Sequence, residues 1–167
     1  MSNIMPMQHR IRSAAIVVKD NTVLLVKHRF PDSGFECWVP PGGGLEDGEN
    51  IYDCAKRETY EETGLTVELG QILYLREFVE LSRARHHFEI FILANSFTGE
   101  LTMANNSPLD PDYLYIKDVQ FLSKQKMQRL NVYPEELKDK FWQDFTPGKR
   151  WEMQYLGLQK VYSLIGD

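Results

Sequence analysis

Cysteine is scarce in this chain, and its scarcity removes one class of protein at once. Cys37 and Cys54 are the only two in 167 residues. They are too few for a disulfide scaffold and stand at no metal-ligand spacing. Long apolar runs are missing as well. The most apolar stretches, residues 14–18 and 88–94, fall well short of the ~20 residues a membrane-spanning helix needs. The first twelve residues carry His9, Arg10 and Arg12 but no apolar core of a secretory signal, so a cytoplasmic, reducing setting is the expectation. No repeat or low-complexity segment is visible. With 43% hydrophobic and 26% charged residues, the composition is that of an ordinary globular protein, and a single domain over 1–167 is expected.

A basic excess is also lacking. The formal net charge is −5, and residues 46–62 account for all of it, with seven acids against Lys56 and Arg57. The rest of the chain balances 17 acidic against 17 basic residues. A nucleic-acid-binding surface needs a basic patch, so no nucleic-acid polymer is expected as partner. A local excess of carboxylates favours a site that attracts cations.

Residues 11–18 and 22–28 are β-branched apolar runs around Asp20 and Asn21, which reads as a hairpin. Residues 35–39 form a short strand stopped by Pro40 and Pro41, and a glycine-rich turn follows at Gly42, Gly43, Gly44 and Gly48. From Asn50 to Thr63 the pattern is helical, with Gly64 as its stop signal. Residues 71–81 and 86–97 read as extended, joined by Ser82-Arg83-Ala84-Arg85. A short strand is expected at 113–116, helices at 117–130 and 134–145, and either state at 151–164. This order suggests an α/β sandwich around a mixed sheet.

The chemistry concentrates in one helix. With Glu58 at zero on a helical wheel, Glu61 falls at about −60° and Glu62 at about +40°. The three carboxylates therefore share one face. Glu58 and Glu62 are an i,i+4 like-charge pair that weakens an isolated helix. A hard divalent cation resolves that conflict, because magnesium takes oxygen ligands, prefers a few carboxylates and keeps waters and phosphates in its shell. The bland alternative is a solvated acidic helix face.

The surrounding residues separate the two. Segment 43–65, GGLEDGENIYDCAKRETYEETGL, resembles the Nudix box, G-x5-E-x7-R-E-U-x-E-E-x-G-U with U aliphatic. Gly43, Glu49, Arg57, Glu58, Glu61, Glu62, Gly64 and Leu65 all fall at the right spacing. Thr59 replaces the usual aliphatic residue, on the packing face, where it can meet Ala55 and Ile51. Residues 38–42 resemble the strand that enters the box.

The resemblance implies the Nudix fold, an α/β/α sandwich around a mixed β-sheet, and hydrolysis of a diphosphate linkage. It implies that Glu58, Glu61 and Glu62, with the Gly43 carbonyl, bind magnesium, with manganese as a substitute. It also implies that Arg57 pairs with Glu49 to hold the loop against the helix. Water would attack phosphorus, with Glu58 the first choice of base and Arg57 and Glu61 beside it. Glu89, unexpected between Phe88 and Ile90, is the outside candidate for base or extra ligand.

Further candidates carry plainer alternatives. The backbone of Gly42, Gly43 and Gly44 can approach substrate, and Arg29 can reach a phosphate through its guanidinium fork. His86 and His87 read more simply as strand residues, and Cys37 and Cys54 as inert packing. Phe30, Phe35, Trp38, Tyr74, Tyr113 and Tyr115 can stack on a base, although most belong in a core. Tyr133, Phe141, Trp142 and Phe145 read as core, with a homodimer left open.

The implied substrate is a small nucleotide, a nucleoside di- or triphosphate or a nucleoside diphosphate joined to another moiety. The proline usual in ADP-ribose hydrolases about fifteen residues past the box is absent, since that position holds Glu80. Tyr74 comes too early for the tyrosine usual in dinucleoside polyphosphate hydrolases. The alternative reading is a catalytically silent Nudix module that senses nucleotides or mediates protein contacts. Such modules usually lose a box glutamate, and none is missing here.

Overall fold

In the computed structural model, residues 6–31, 33–106, 108–109 and 115–161 are described. The strands are β1 (Gln8–Ile16), β2 (Val18–Lys19), β3 (Thr22–Arg29), β4 (Glu36–Val39), β5 (Gly42–Gly44), β6 (Thr66–Glu80), β7 (Arg85–Thr98), β8 (Ile116–Ser123) and β9 (Gln154–Val161). The helices are α1 (Ile51–Thr63), α2 (Lys124–Met127) and α3 (Lys140–Asp144), with single 3-10 turns at Leu81–Arg83 and Glu135–Lys138. No helix among the described residues is long and apolar enough to cross a membrane.

Two sheets form. A mixed five-stranded sheet runs β5-β1-β7-β6-β9, and a four-stranded sheet joins β2, β3, β4 and β8. In the first, β1 lies parallel to β7 and antiparallel to β5, while β6 and β7 are antiparallel. The long hairpin expected across residues 11–28 is therefore a correction. Asp20 and Asn21 do make a tight turn in the left-handed region, at φ 47° and 57°, which suits a two-residue hairpin loop. It joins only Val18–Lys19 to Thr22–Val23, because β1 pairs with β7 in the other sheet.

The helix expected over 117–130 is likewise corrected. Its first half is β8, paired with β3 over most of its length, and only Lys124–Met127 is helical. Val119 and Phe121, β-branched and aromatic, pack on the second core cluster with Leu24, so sheet pairing outweighs local helix preference. The helix expected at 134–145 is broken at Asp139. Residues 154–161 are a strand, and Tyr113, in the strand expected at 113–116, lies outside the described residues.

Strand alternation gives the first sheet two different faces. One carries Ala15, Val17, Ile90 and Ile92, in core clusters that reach Leu65 and, through Ala55, α1. The other turns toward the second sheet and changes character along its length. Ala14, Ile16, Tyr74 and Phe91 are buried there with Leu25 and Trp38. Further along the same strands, on the same face, stand Arg10, Arg12, Arg76, His87 and Glu89. The apolar half seals the inter-sheet core, and the charged half leaves an opening.

Candidate active site

Helix α1 is well defined at both ends. Asn50 accepts from the amides of Tyr52 and Asp53, and Asp53 reaches back to the Asn50 amide in a reciprocal cap. Gly64 ends the helix at φ 76°, a conformation that favours glycine. Thr59 is buried and donates to the Ala55 carbonyl at 2.6 Å, so the departure from the box pattern is absorbed within the helix.

The glutamate face of α1 meets the glycine strand. Gly43 pairs with Ser13, whose hydroxyl donates to the Ile51 carbonyl, so this side of β5 looks at the helix. A Cβ on Gly43 would stand 2.3 Å from Glu58 Oε1. Glu62 is buried, and its Oε1 accepts from the Gly42 amide at 3.1 Å. The Cys54 thiol donates to the Gly43 carbonyl at 3.4 Å.

Arg57 ties this face together. It grips Glu49 through Nε at 2.5 Å and Nη2 at 3.0 Å, while Nη1 reaches Glu58 at 2.9 Å and Glu61 at 3.2 Å. Its Nη2 also donates to the Gly44 carbonyl at 3.2 Å. The hydrogen bond from Arg57 holds the Glu49 carboxyl below its usual range, and the same contact raises the Arg57 guanidinium further. Burial pushes both thiols up to about 12, so Cys37 and Cys54 stay protonated at neutral pH and act as packing groups.

Gly44 faces the other way. A Cβ there would stand 2.7 Å from the Arg10 guanidinium. The glycine strand is thus a bare backbone ridge, with carboxylates of α1 on one side and arginines on the other. Beyond it opens a cavity of about 540 Å³ between the two sheets, whose lining includes Arg10, Arg12, Arg76, Arg83 and Arg85. The balance of charge along the chain gave no hint of this, since these arginines are scattered over residues 10–85.

Glu89 lines that cavity. It bonds Arg76 Nη2 at 2.5 Å and lies 3.9 Å from Arg12 Nε. Burial alone would raise its carboxyl, but the two arginines and the hydrogen bond from Arg76 hold it below its usual range. Such a carboxylate is a poor proton acceptor and a firm anchor for guanidinium groups. Arg29 is exposed, while its neighbours His28 and Phe30 line the cavity; strand alternation turns Arg29 away.

Of the aromatic candidates, Phe30 and Tyr115 line the cavity, whereas Trp38 and Tyr74 belong to the core. Phe141 is core, and Tyr133 is cavity wall. Arg76, Phe78 and His87 had not been singled out as a group. The signal was present as period-2 spacing of charged and aromatic residues, Arg76-x-Phe78-x-Glu80 and Arg85-x-His87-x-Glu89, at the adjoining ends of two strands.

A family model described as the NUDIX domain matches residues 9–143. The chain belongs to the Nudix family. Over 75 residues this Nudix chain is 35% identical to diphosphoinositol polyphosphate phosphohydrolase 3-alpha of Mus musculus, covering 45% of this chain and 42% of that protein. Over 93 residues it is 31% identical to an ADP-ribose pyrophosphatase of Methanocaldococcus jannaschii, covering 55% and 54% respectively. The matches thus span about half the length of these relatives.

Among solved structures, a MutT Nudix hydrolase from Burkholderia pseudomallei aligns with TM-score 0.63 at 24% identity, over 78% of this chain and 95% of that one. A Nudix hydrolase from Nitrosomonas europaea aligns with TM-score 0.61 at 17% identity, over 93% and 81%. At such identities the likeness concerns the fold, which is the α/β Nudix fold with its mixed sheet and helices.

Proposed function

We propose that this Nudix protein is a metal-dependent pyrophosphohydrolase that cuts the diphosphate linkage of a nucleoside di- or triphosphate, or of a nucleoside diphosphate joined to another moiety. The observation that carries the reading is the meeting of α1 with the glycine ridge, where Glu58 approaches Gly43 too closely for any side chain to stand between them. A complete carboxylate set at a backbone ridge, next to an arginine-lined cavity, suits a small anionic substrate that lies across the ridge.

The donor set fits a hard divalent cation. Glu58, Glu61, Glu62 and the Gly43 carbonyl offer oxygen only, from a rigid helix and a strand held by Cys54 and Gly42 contacts. Among the described residues no three acids are gathered as a ready ligand cluster; Arg57 bonds Glu58 and Glu61, and the Gly42 amide bonds Glu62. Magnesium, or manganese in its place, would polarise phosphoryl oxygens and acidify the attacking water when bound.

The chain's own residues supply the remainder. Arg57, clamped to Glu49, aims Glu58 and Glu61 toward the ridge. Glu58 is the base in this reading, since it stands against Gly43, while Glu89 anchors arginines on the cavity side. Arg10 and Arg12 face the ridge from the cavity and can neutralise substrate phosphate.

The test is phosphate release, coupled to a phosphatase, from a panel of nucleoside diphosphates, triphosphates, nucleotide sugars and ADP-ribose. Turnover with magnesium that stops with a chelator supports the reading. Metal binding with no turnover of any member would instead favour a silent nucleotide-binding module.

A further inference from the structure

Of the chain's four histidines, His28 and His87 line the cavity. The other two, His9 and His86, are 77 residues apart in sequence and meet on the opposite face of the first sheet. They pair in register between the parallel strands β1 and β7, so both side chains leave the sheet on the same side. Four residues further along that face, Ser13 and Ile90 meet α1. At the histidines the face is open, with His9 exposed and His86 half-buried.

The ring geometry suits a shared ion. The two imidazole centres lie 5.3 Å apart, with their planes tilted by 50°. Zinc–nitrogen bonds of ~2.0–2.1 Å at a tetrahedral angle place two such centres about 5 Å apart. Side-chain rotation alone can therefore close the pair on one ion. The frame beneath is fixed, because the Gln8 amide donates to the Ala84 carbonyl at 2.8 Å and ties the start of β1 to the β6–β7 turn.

His86 already has the support that a ligating histidine needs. Its Nε2 lies 2.6 Å from Glu77 Oε2, and Tyr155 donates to the other oxygen, Oε1, at 2.8 Å. An ionised Glu77 accepts from Nε2–H whether the ring is neutral or charged, which leaves Nδ1 for a metal. A carboxylate behind the imidazole is the usual partner of a metal-bound histidine, and it sets the ring's orientation.

This place differs from the α1 face in both position and chemistry. His9 stands four residues before Ser13, the partner of Gly43, roughly 13 Å along the strand at ~3.3 Å per residue. It offers imidazole nitrogen, which suits zinc, copper or nickel, whereas α1 offers carboxylate oxygen, which suits magnesium. Two imidazoles do not make a ready cluster of three ligands, so water completes the shell.

We propose that His9 and His86 bind a transition-metal ion of the zinc class, linking β1 to β7, with Glu77 as the positioning residue that orients His86.

The test uses the whole chain carrying Glu62→Gln, which disables the α1 face, and zinc alone as the probe. Calorimetry is expected to show zinc binding that excess magnesium does not displace. His9→Gln and His86→Gln, each added to that chain, should weaken it at least tenfold. Glu77→Gln should weaken it several-fold. Zinc should also raise the melting midpoint of the Glu62→Gln chain and not that of either histidine variant. With copper(II) in place of zinc, electron paramagnetic resonance should show two coordinated nitrogens, reduced to one in each histidine variant.

Zinc affinity unchanged in both histidine variants would overturn the proposal, as would loss in one variant only, or zinc binding that Glu62→Gln abolishes. Both histidine positions lie outside the carboxylate face and the cavity, so their single variants should keep the magnesium-dependent turnover of the parent chain. The proposal therefore stands or falls separately from the hydrolase reading.

Discussion

Gly43 and Glu62 divide the labour of the site at the level of single residues. A methyl group on Gly43 would meet the end of a flexible side chain, Glu58 Oε1 at 2.3 Å, which can swing away. Gly43→Ala is therefore expected to lower kcat at least tenfold while shifting the melting midpoint by only a few degrees, as calorimetry and steady-state kinetics would show. Glu62→Gln keeps an oxygen for the Gly42 amide and removes a charge. Turnover should fall by two or more orders of magnitude with folding retained, and intact activity in that variant would show that the ligand assignment is wrong.

Glu89 belongs to the same scale but to different chemistry. Its carboxyl is depressed in the folded chain, by Arg76 and Arg12 against the effect of burial, and that of Glu49 by its bond from Arg57. Their contribution to stability is thus fully present above the unfolded carboxylate pKa, about 4.3, and is lost as pH falls through the lower folded values. Urea unfolding between pH 7 and pH 3 should show stability dropping at the acid end, less steeply in Glu89→Gln. That variant should also cost about 3–5 kcal/mol at neutral pH, because it strips a buried guanidinium of its charge partner. The acid limb of its pH–rate profile should persist; disappearance of the limb would make Glu89 the base.

Elements show where the sequence could be read and where it could not. Helix α1 was legible because its signals are local: the Asn50 cap, the glutamate spacing and Gly64. The cap is also testable, with Asn50→Ala expected to cost about 1 kcal/mol in chemical denaturation. Strand β8 was not legible, because nothing within residues 117–123 reveals that β3 will pair with it. The residue 11–28 hairpin failed for the same reason. Its turn residues do form the turn, while the partner of β1 lies 77 residues away in β7. Glu89 stood out in the sequence as an acid among apolar neighbours, yet its ion pairs with Arg76 and Arg12 come from two other strands.

For the whole molecule, the site lies where two sheets, a glycine ridge and one helix converge, so occupation of the helix face should be felt globally. Adding magnesium should raise the melting midpoint in proportion to binding, chelator should reverse it, and Glu62→Gln should abolish the shift. A midpoint indifferent to metal would count against the proposed centre.

By itself the sequence determined the Nudix box. Its residues lie within one stretch of 23, and helix geometry converts spacing of three and four residues directly into a shared face. It also determined the family, through that same spacing. Only the tertiary structure decided what stands opposite the box. The cavity draws its walls from strands β1, β3, β4, β6, β7 and β9, and strand order and register depend on distant pairings that no local pattern encodes. Charge followed the same rule. Acids clustered along the chain were visible at once, whereas arginines dispersed along it became a single lining only when the strands lay side by side.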